Sequence, residues 1–480
     1  MSTQHTTRRR RLVVVGTLMS LVVWVPLPSS TPATATDGPV EGRPYIVTVG
    51  DSYISGEGTR WATNGLPDPK PWANVDTGAY YDTDGVPPSH QACHRTRNAE
   101  ANIHTNIYGI GREPKTAAKN LACSGASTNS LWYKGKFFPG IDFYGTTTGL
   151  YQGQALRLRE FAKRNNVKLV VLSIGGNDLD LFSILYPCIY NYVVGVVPAV
   201  ASYCSDDRAV TDKVSAERMT EVENKIVTAI DNVETAMSAA GYDTTDWSLL
   251  VQTYPIVLPP AARMRVPEYG TAWSQPRKYR CPLFDQDIDW AVDEVLPALN
   301  WAIRAAADRV AQIRGNVGVL DVESAFKGHR LCEKGVGPTD LAWNVAGSAK
   351  VEWVVALQVS TLGLPIGTPG MAEVIHPTAW GSWALRNCLR AAWNSGRVRG
   401  GSCEPSLFIS VNGWGEPGMV FSMSEFVQPP PPPTTSTTST TTTTSPVIYL
   451  TPTCTVASPG GGTCTIGSTT SSPLNGPTGP

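Results

Sequence analysis

The chain has 480 residues, and its 39 basic and 40 acidic side chains leave a net charge of −1 at neutral pH. Residues 1–35 hold four arginines and no acidic residue, so the remainder carries 35 basic and 40 acidic side chains. A mildly acidic chain of this kind gives no electrostatic reason to expect nucleic acid as a partner.

The first 35 residues have the three parts of a secretory signal peptide. Four arginines at 8–11 precede an apolar run at 12–27, and Ala-Thr-Ala at 33–35 matches a small-residue cleavage site. A membrane anchor is the alternative, but the apolar run is shorter than the roughly 20 residues that a span requires and contains Pro26. We therefore expect residues 1–35 to be removed and the protein to be secreted without a stable membrane span, with cell-wall association left open.

Residues 36–427 are predicted to form one α/β domain. Short apolar segments rich in β-branched residues predict five buried strands, at 45–49, 116–122, 168–174, 248–253 and 316–320. Apolar residues at three- and four-residue spacing predict long helices at 216–240 and 288–314. This alternation predicts a three-layer α/β/α fold with a five-stranded parallel sheet in flavodoxin-like order. Functional residues are then expected at the carboxyl ends of the strands.

Three long insertions leave those carboxyl ends, at 59–91, 131–152 and 182–203. The first two are rich in tryptophan, tyrosine and phenylalanine, and the third is predominantly apolar. Loops at this edge of a sheet normally build the binding site, although covering the domain's own core is an equally good explanation for any single aromatic residue.

Ten cysteines, an even number in a chain expected to be secreted, favour disulfides over metal binding. The simplest scheme pairs neighbours along the chain, although sequence alone cannot fix the connectivity. The pairs would be Cys93–Cys123, Cys188–Cys204, Cys281–Cys332, Cys388–Cys403 and Cys454–Cys464. No two cysteines have the CxxC spacing of a zinc site, so no metal is expected.

The composition changes abruptly after residue 427. Residues 428–446 are a proline- and threonine-rich linker, which is extended and cannot bury a core. Residues 447–480 are too few for a large core and hold two cysteines. We expect a tail with one closed loop, and a very small disulfide-stapled module is the alternative.

Four residues at or near predicted strand ends have the chemistry of serine catalysis. Ser52 follows the first strand and Gly50, while His376 lies far downstream with a carboxylate, Glu373, three residues before it. Acyl transfer also needs N–H donors directed at the oxyanion of the tetrahedral intermediate. The Ser52 N–H, the Gly125 N–H and the Asn177 side-chain amide are candidates for this oxyanion hole.

These blocks make the chain resemble an SGNH (GDSL-type) serine hydrolase, and among these the disulfide-bearing secreted lipases and esterases of actinobacteria. Gly50-Asp51-Ser52, the glycine block around Gly125, Gly-Gly-Asn-Asp at 175–178 and His376-Pro377 occur in the family's order. The stretches Cys93-His94-Arg95, 122–126, Tyr254-Pro255 and 328–332 are similar to secondary features of the actinobacterial group. The resemblance spans roughly residues 44–392.

The resemblance implies that Ser52 is the nucleophile and His376 the general base, with Asp51 positioning the turn. One departure concerns the third member of the triad, because the family usually places aspartate where this chain has Glu373. Either the Glu373 carboxylate or a backbone carbonyl then orients the histidine. Glu57 is explained equally well as a residue that tunes the site and as a first-turn acid in a helix. His94 and the other histidines are expected to be structural or exposed.

The predicted function is a secreted, monomeric serine esterase or lipase that hydrolyses carboxylic esters through an acyl-enzyme on Ser52, without a metal or organic cofactor. The substrate would be a lipid or an acylated glycan. The apolar insertion at 182–203 favours acyl chains, whereas the aromatic loops suit sugars and hence polysaccharide O-deacetylation. A non-catalytic wall-associated binding protein on the same scaffold is the third hypothesis. No GxSxG sequence is present, which disfavours an α/β-hydrolase of the usual kind.

Overall fold

The computed structural model describes residues 39–62, 80, 92–101, 116–195, 202–266, 268, 281–337, 349–356, 372–407 and 410–423. The chain divides into two compact units, residues 1–432 and 433–480, and all described residues belong to the first. The predicted signal peptide, linker and tail, including Cys454 and Cys464, therefore lie outside the described residues and stay predictions.

Nine strands lie within this part of the chain. They are β1 (Tyr45–Gly50), β2 (Ala117–Asn120), β3 (Leu131–Tyr133), β4 (Lys136–Phe138), β5 (Val167–Ser173), β6 (Ser248–Gln252), β7 (Val317–Asp321), β8 (Gly401–Pro405) and β9 (Met419–Ser422).

The α-helices alternate with these strands. They are α1 (Ser52–Ser55), α2 (Gln154–Ala162), α3 (Leu181–Val194), α4 (Arg208–Thr211), α5 (Ala216–Ser238), α6 (Asp285–Trp290), α7 (Leu296–Arg314) and α8 (Ala379–Trp393). A π-helical turn, Ala291–Val295, joins α6 to α7, and single 3₁₀ turns lie at Cys204–Asp206, Asp212–Val214, Ala261–Arg263 and Asn394–Gly396.

The central sheet has the strand order β2-β1-β5-β6-β7-β8-β9. The first five are parallel and correspond to the five predicted strands, so the flavodoxin-like order is confirmed. Four consecutive residues of β1, from Ile46 to Val49, are each fully buried. Because successive side chains in a strand point to opposite faces, both faces of the sheet are covered, as the three-layer prediction requires.

The central sheet has seven strands, two more than the five predicted. β8 pairs with β7 in parallel over two residues, and β9 pairs with β8 in an antiparallel arrangement. β8 (Gly-Ser-Cys-Glu-Pro) contains no apolar run, and β9 (Met-Val-Phe-Ser) has only three consecutive apolar residues, none of them fully buried. The helix predicted at 288–314 is also interrupted by the π turn before α7. Pro297 at the start of α7 has no N–H to continue the ladder of hydrogen bonds.

Four of the five predicted disulfides lie among the described residues, and the structure makes all four of them: Cys93–Cys123, Cys188–Cys204, Cys281–Cys332 and Cys388–Cys403. Two of the predicted insertions are also described in large part. The insertion at 131–152 contains the hairpin of β3 and β4, and the one at 182–203 contains most of α3, which the disulfide at Cys188 anchors. Within the described ranges, no helix combines the length and hydrophobicity that crossing a membrane would require.

Candidate active site

Ser52 lies at the exit of β1, where Gly50 makes a turn that other residues cannot make. Gly50 has a φ of +144°, and a Cβ at this position would lie 2.0 Å from the carbonyl oxygen of Ser173 on β5. The side-chain amide of Gln154 both accepts from and donates to the backbone of Gly50, at 2.8 Å in each case. These contacts fix the position from which Ser52 begins α1.

Asp51, the residue before the serine, links the ends of three strands. One of its carboxylate oxygens accepts the N–H of Tyr53 at 3.1 Å and caps α1, and the other accepts the hydroxyl of Tyr254. The Tyr254 hydroxyl in turn accepts the N–H of Gly176 at 3.1 Å. Burial raises the pKa of Asp51 to about 7. These hydrogen bonds support the expected role of Asp51, which is to position the turn that carries Ser52.

Ser52 and His376, which are 324 residues apart, meet at hydrogen-bond distance. Ser52 Oγ lies 2.7 Å from His376 Nε2, and His376 Nδ1 lies 2.9 Å from the carbonyl oxygen of Val374. A carbonyl only accepts, so Nδ1 carries the proton and Nε2 accepts the serine hydroxyl. Burial also lowers the pKa of His376, which favours the neutral ring. This is the arrangement that proton transfer from a serine to a base requires.

The backbone around Ile375 holds His376 in place. Ile375 has a φ of +61°, which is a rare conformation for a β-branched residue. Its carbonyl accepts the Tyr53 hydroxyl at 2.6 Å, and its N–H donates to the Val355 carbonyl at 2.9 Å. The Val355 N–H donates to the His376 carbonyl at 2.8 Å. Strained backbone of this kind persists only where its surroundings fix it, as they do here.

Glu373 does not make the contact with His376 that is one of the two sequence expectations. Its carboxylate accepts hydrogen bonds from the Arg60 guanidinium, with one N–O distance of 2.7 Å, from Trp61 Nε1 at 3.2 Å and from the Tyr80 hydroxyl. In the structure, Arg60 and its neighbours hold this carboxylate away from the His376 ring. The backbone carbonyl of Val374, the other expectation, takes the position.

The segment around Gly125 and the segment that contains Asn177, which are expected to supply the oxyanion hole, are hydrogen-bonded to each other. The Asn177 side-chain amide donates to the Ala126 carbonyl at 2.8 Å, and Asp178 accepts both the N–H and the hydroxyl of Thr128, at 3.0 and 2.7 Å. An amide nitrogen carries two hydrogens, so one remains after the bond to Ala126. Gly125 has a φ of +77°, and a Cβ there would lie 2.6 Å from the ring of Phe138. Glycine is therefore required at this position.

Four of the five predicted site residues, Ser52, Gly125, Asn177 and His376, line one cavity of about 360 Å³. Among the described residues, the backbone N–H groups of Ser52 and Gly125 donate to no protein acceptor. Much of the wall is apolar and comes from α3, the β3–β4 hairpin and α7: Phe138, Leu181, Phe182, Leu185, Ile189, Leu296 and Leu299. The cavity therefore combines a serine–histidine pair, unpaired N–H donors and an apolar wall.

A second histidine lines the same cavity, and the sequence analysis did not assign it to the site. His94 Nδ1 lies 2.6 Å from a carboxylate oxygen of Glu57, which is completely buried. Tyr80 stacks on the His94 ring with 4.4 Å between centroids, and its hydroxyl bonds to both Glu57 and Glu373. Glu57 lies beyond the end of α1, so the first-turn explanation is wrong. The Cys93-His94-Arg95 block was the signal that pointed to this place.

In the part of the chain that the structure describes, the one group of three potential metal ligands is Cys188, Cys204 and Asp287. The two cysteines are joined in a disulfide and offer no thiolate. The serine–histidine cavity contains no comparable set of ligands within those residues.

No family model and no curated protein matches the chain. Among solved structures, it is similar to an extracellular lipase from Streptomyces rimosus, with 18% identity over 73% of this chain and 100% of the lipase and a TM-score of 0.39. It is similar to phospholipase A1 from Streptomyces albidoflavus, with 17% identity over 73% of this chain and 99% of the other and a TM-score of 0.36. A carbohydrate acetylesterase from Sinorhizobium meliloti is 11% identical over 74% of this chain and 99% of its own, with a TM-score of 0.30. Likenesses at this level do not assign an activity to this chain.

Proposed function

We propose that this protein is a serine-dependent carboxylic ester hydrolase. The observation that carries the proposal is the 2.7 Å contact between Ser52 Oγ and His376 Nε2, in a cavity that also exposes donors for an oxyanion. A serine hydroxyl alone is a weak nucleophile, and it gains reactivity when an adjacent base removes its proton. The neutral His376 ring, oriented by the Val374 carbonyl, is such a base.

The reaction has two steps. Ser52 Oγ attacks the ester carbonyl carbon while His376 Nε2 takes the hydroxyl proton, and the carbonyl oxygen becomes an oxyanion. The Ser52 N–H, the Gly125 N–H and the second Asn177 amide hydrogen stabilise this oxyanion. The tetrahedral intermediate collapses, the bond to the alcohol oxygen breaks, and His376 returns its proton to that oxygen. Water then attacks the acyl-enzyme by the same path and releases the acid.

The apolar wall supports an ester with an acyl chain as the substrate. Leu181, Leu185 and Ile189 recur at four-residue spacing on α3 and line the cavity beside Ser52. Burial of apolar surface contributes about 0.8 kcal/mol for each methylene, so a chain against this wall adds binding energy as it lengthens. The structure therefore favours lipid or other long-chain esters over small acetyl groups on a glycan.

The proposed location is outside the cell, with the protein acting as a monomer. Four disulfides support an oxidising compartment, since such bonds are rare in the cytosol of most organisms. The signal-peptide features of residues 1–35 agree with this location.

Hydrolysis of p-nitrophenyl esters from acetate to palmitate tests the proposal. We expect kcat/KM to rise from acetate toward longer chains, and Ser52→Ala to abolish turnover on every ester with an almost unchanged melting temperature. Ser183→Ala, a serine on α3 whose hydroxyl bonds to a backbone carbonyl, is the matched control and should keep wild-type turnover. An active Ser52→Ala protein would refute the nucleophile, and a preference for acetate would favour glycan deacetylation.

A further inference from the structure

The Glu57–His94 pair is a charged element of the cavity that the two-step reaction does not use. Glu57 is completely buried, and a buried carboxylate needs a partner that compensates its lost hydration. Its hydrogen-bonded partner is the His94 ring, at 2.6 Å, while Arg60 is bonded to Glu373. The pair therefore places a buried carboxylate and an ionisable ring side by side in the cavity.

The backbone holds His94 against Glu57 from both sides. His94 has a φ of +48°, which few residues other than glycine adopt. The residue before it, Cys93, is bonded to Cys123 and accepts the N–H of Ser124 at 3.1 Å. The residue after it, Arg95, donates to the carbonyl of Ala122 at 2.7 Å. The segment that positions His94 is thus fastened to the segment that leads to Gly125.

Both members of the pair act electrostatically on His376. The negative charges of Glu57 and Glu373 raise the pKa of His376, whereas a protonated His94 lowers it. Burial is the largest influence, and it lowers the pKa. The uncharged groups facing this cluster are the hydroxyl of Tyr80 and the ring of Tyr53. Arg60 is paired with Glu373 and also interacts electrostatically with Glu57, and His94 is the ring hydrogen-bonded to Glu57.

We propose that Glu57 and His94 form a second carboxylate–imidazole pair that sets the charge facing His376 in the cavity, which makes His94 a positioning residue of the active site. This inference rests on the proposed function for its kinetic consequence. A base must be neutral to accept the Ser52 proton, so any change in the charge facing His376 moves the pH at which activity appears. Removing one member alone leaves the other charge uncompensated.

The pH dependence of kcat/KM on a neutral soluble ester tests the pair. Glu57→Gln should move the acid limb to lower pH by about half a unit, because a negative charge that favours protonated His376 is gone. His94→Gln should move it to higher pH by a similar amount, because Glu57 then acts without compensation. The double variant should return near the wild-type profile. Glu416→Gln is the matched control, since Glu416 is a buried carboxylate paired with Arg390 and is not among the charges that act on His376.

A second readout separates this inference from the proposed function. In a Ser52→Ala background, NMR titration of the His376 ring should show the same opposite shifts, whether or not the protein hydrolyses esters. Profiles that stay unshifted in both single variants, or that shift in the same direction, would overturn the proposal and leave His94 with a packing role. If His94→Gln fails to fold, Glu57→Gln alone still decides the question, because a packing role predicts no downward shift.

Discussion

His376 and His94 line one cavity, and the two rings are held by different acceptors. The Nδ1 of His376 faces a backbone carbonyl, that of Val374, at 2.9 Å. The Nδ1 of His94 faces a carboxylate, that of Glu57, at 2.6 Å. A carbonyl and a carboxylate can both orient an imidazole ring, but only the carboxylate adds a negative charge next to it. His376 is the ring that reaches Ser52 Oγ, at 2.7 Å, so it is the ring placed for catalysis.

The comparison also explains where the acidic residues near the site are placed. Glu57 and Glu373 are both buried, and each has its own ion-pair partner, His94 or Arg60. Neither carboxylate bonds to His376. Both carboxylates raise the pKa of His376, whereas burial of the ring lowers it and has the larger effect.

A large effect is expected when one donor of the proposed oxyanion hole, the Asn177 amide, is removed. Asn177→Ala should lower kcat by about 10²–10³ with a modest change in KM, because the amide acts on the oxyanion that forms only in the transition state. Steady-state kinetics measure both constants. Asn232→Ala removes another amide that donates to a backbone carbonyl, that of Ile141, and should leave kcat unchanged. A change confined to KM would make Asn177 a substrate-binding residue.

A smaller effect is expected when the backbone that presents the Val374 carbonyl is loosened. Tyr53→Phe removes the hydroxyl that holds the Ile375 carbonyl at 2.6 Å. We expect kcat to fall about tenfold, because His376 is less well oriented, and stability to fall by about 1 kcal/mol. Urea unfolding and steady-state kinetics measure the two quantities. If kcat is unchanged while stability falls, the Tyr53 hydroxyl supports the fold and not the histidine.

Much of the site could be predicted because the order of the strands in the sheet brings its residues together. Ser52, Gly125 and Asn177 follow β1, β2 and β5, and the carboxyl ends of adjacent parallel strands lie at one edge of a sheet. His376 comes just before α8, where the His-Pro sequence indicates extended backbone ahead of a helix. Local patterns were therefore sufficient to bring these four residues to one cavity.

The remaining features depend on contacts that no local pattern carries. Every residue has a carbonyl, so nothing in the sequence marks that of Val374 as the acceptor; the positive φ of Ile375 and the hydroxyl of Tyr53 single it out. Glu373 has the right spacing, but Arg60, 313 positions earlier, engages it. β8 and β9 are short: β8 contains no apolar run, and β9 has only three consecutive apolar residues, none fully buried, so both lack the longer buried runs by which the five predicted strands were found.

The central claim is that a serine–histidine pair oriented by a carbonyl performs the chemistry, and one comparison of kcat tests it most directly. His376→Ala should lose at least about 10³ in kcat, whereas Glu373→Gln should stay within about threefold of wild type, because the His376 ring keeps its acceptor. Thermal unfolding should show that Glu373→Gln is less stable than the wild-type protein, since Arg60 loses its charged partner. A loss in Glu373→Gln as large as that in His376→Ala, with the protein still folded, would contradict the account and restore the carboxylate as the third member of a triad.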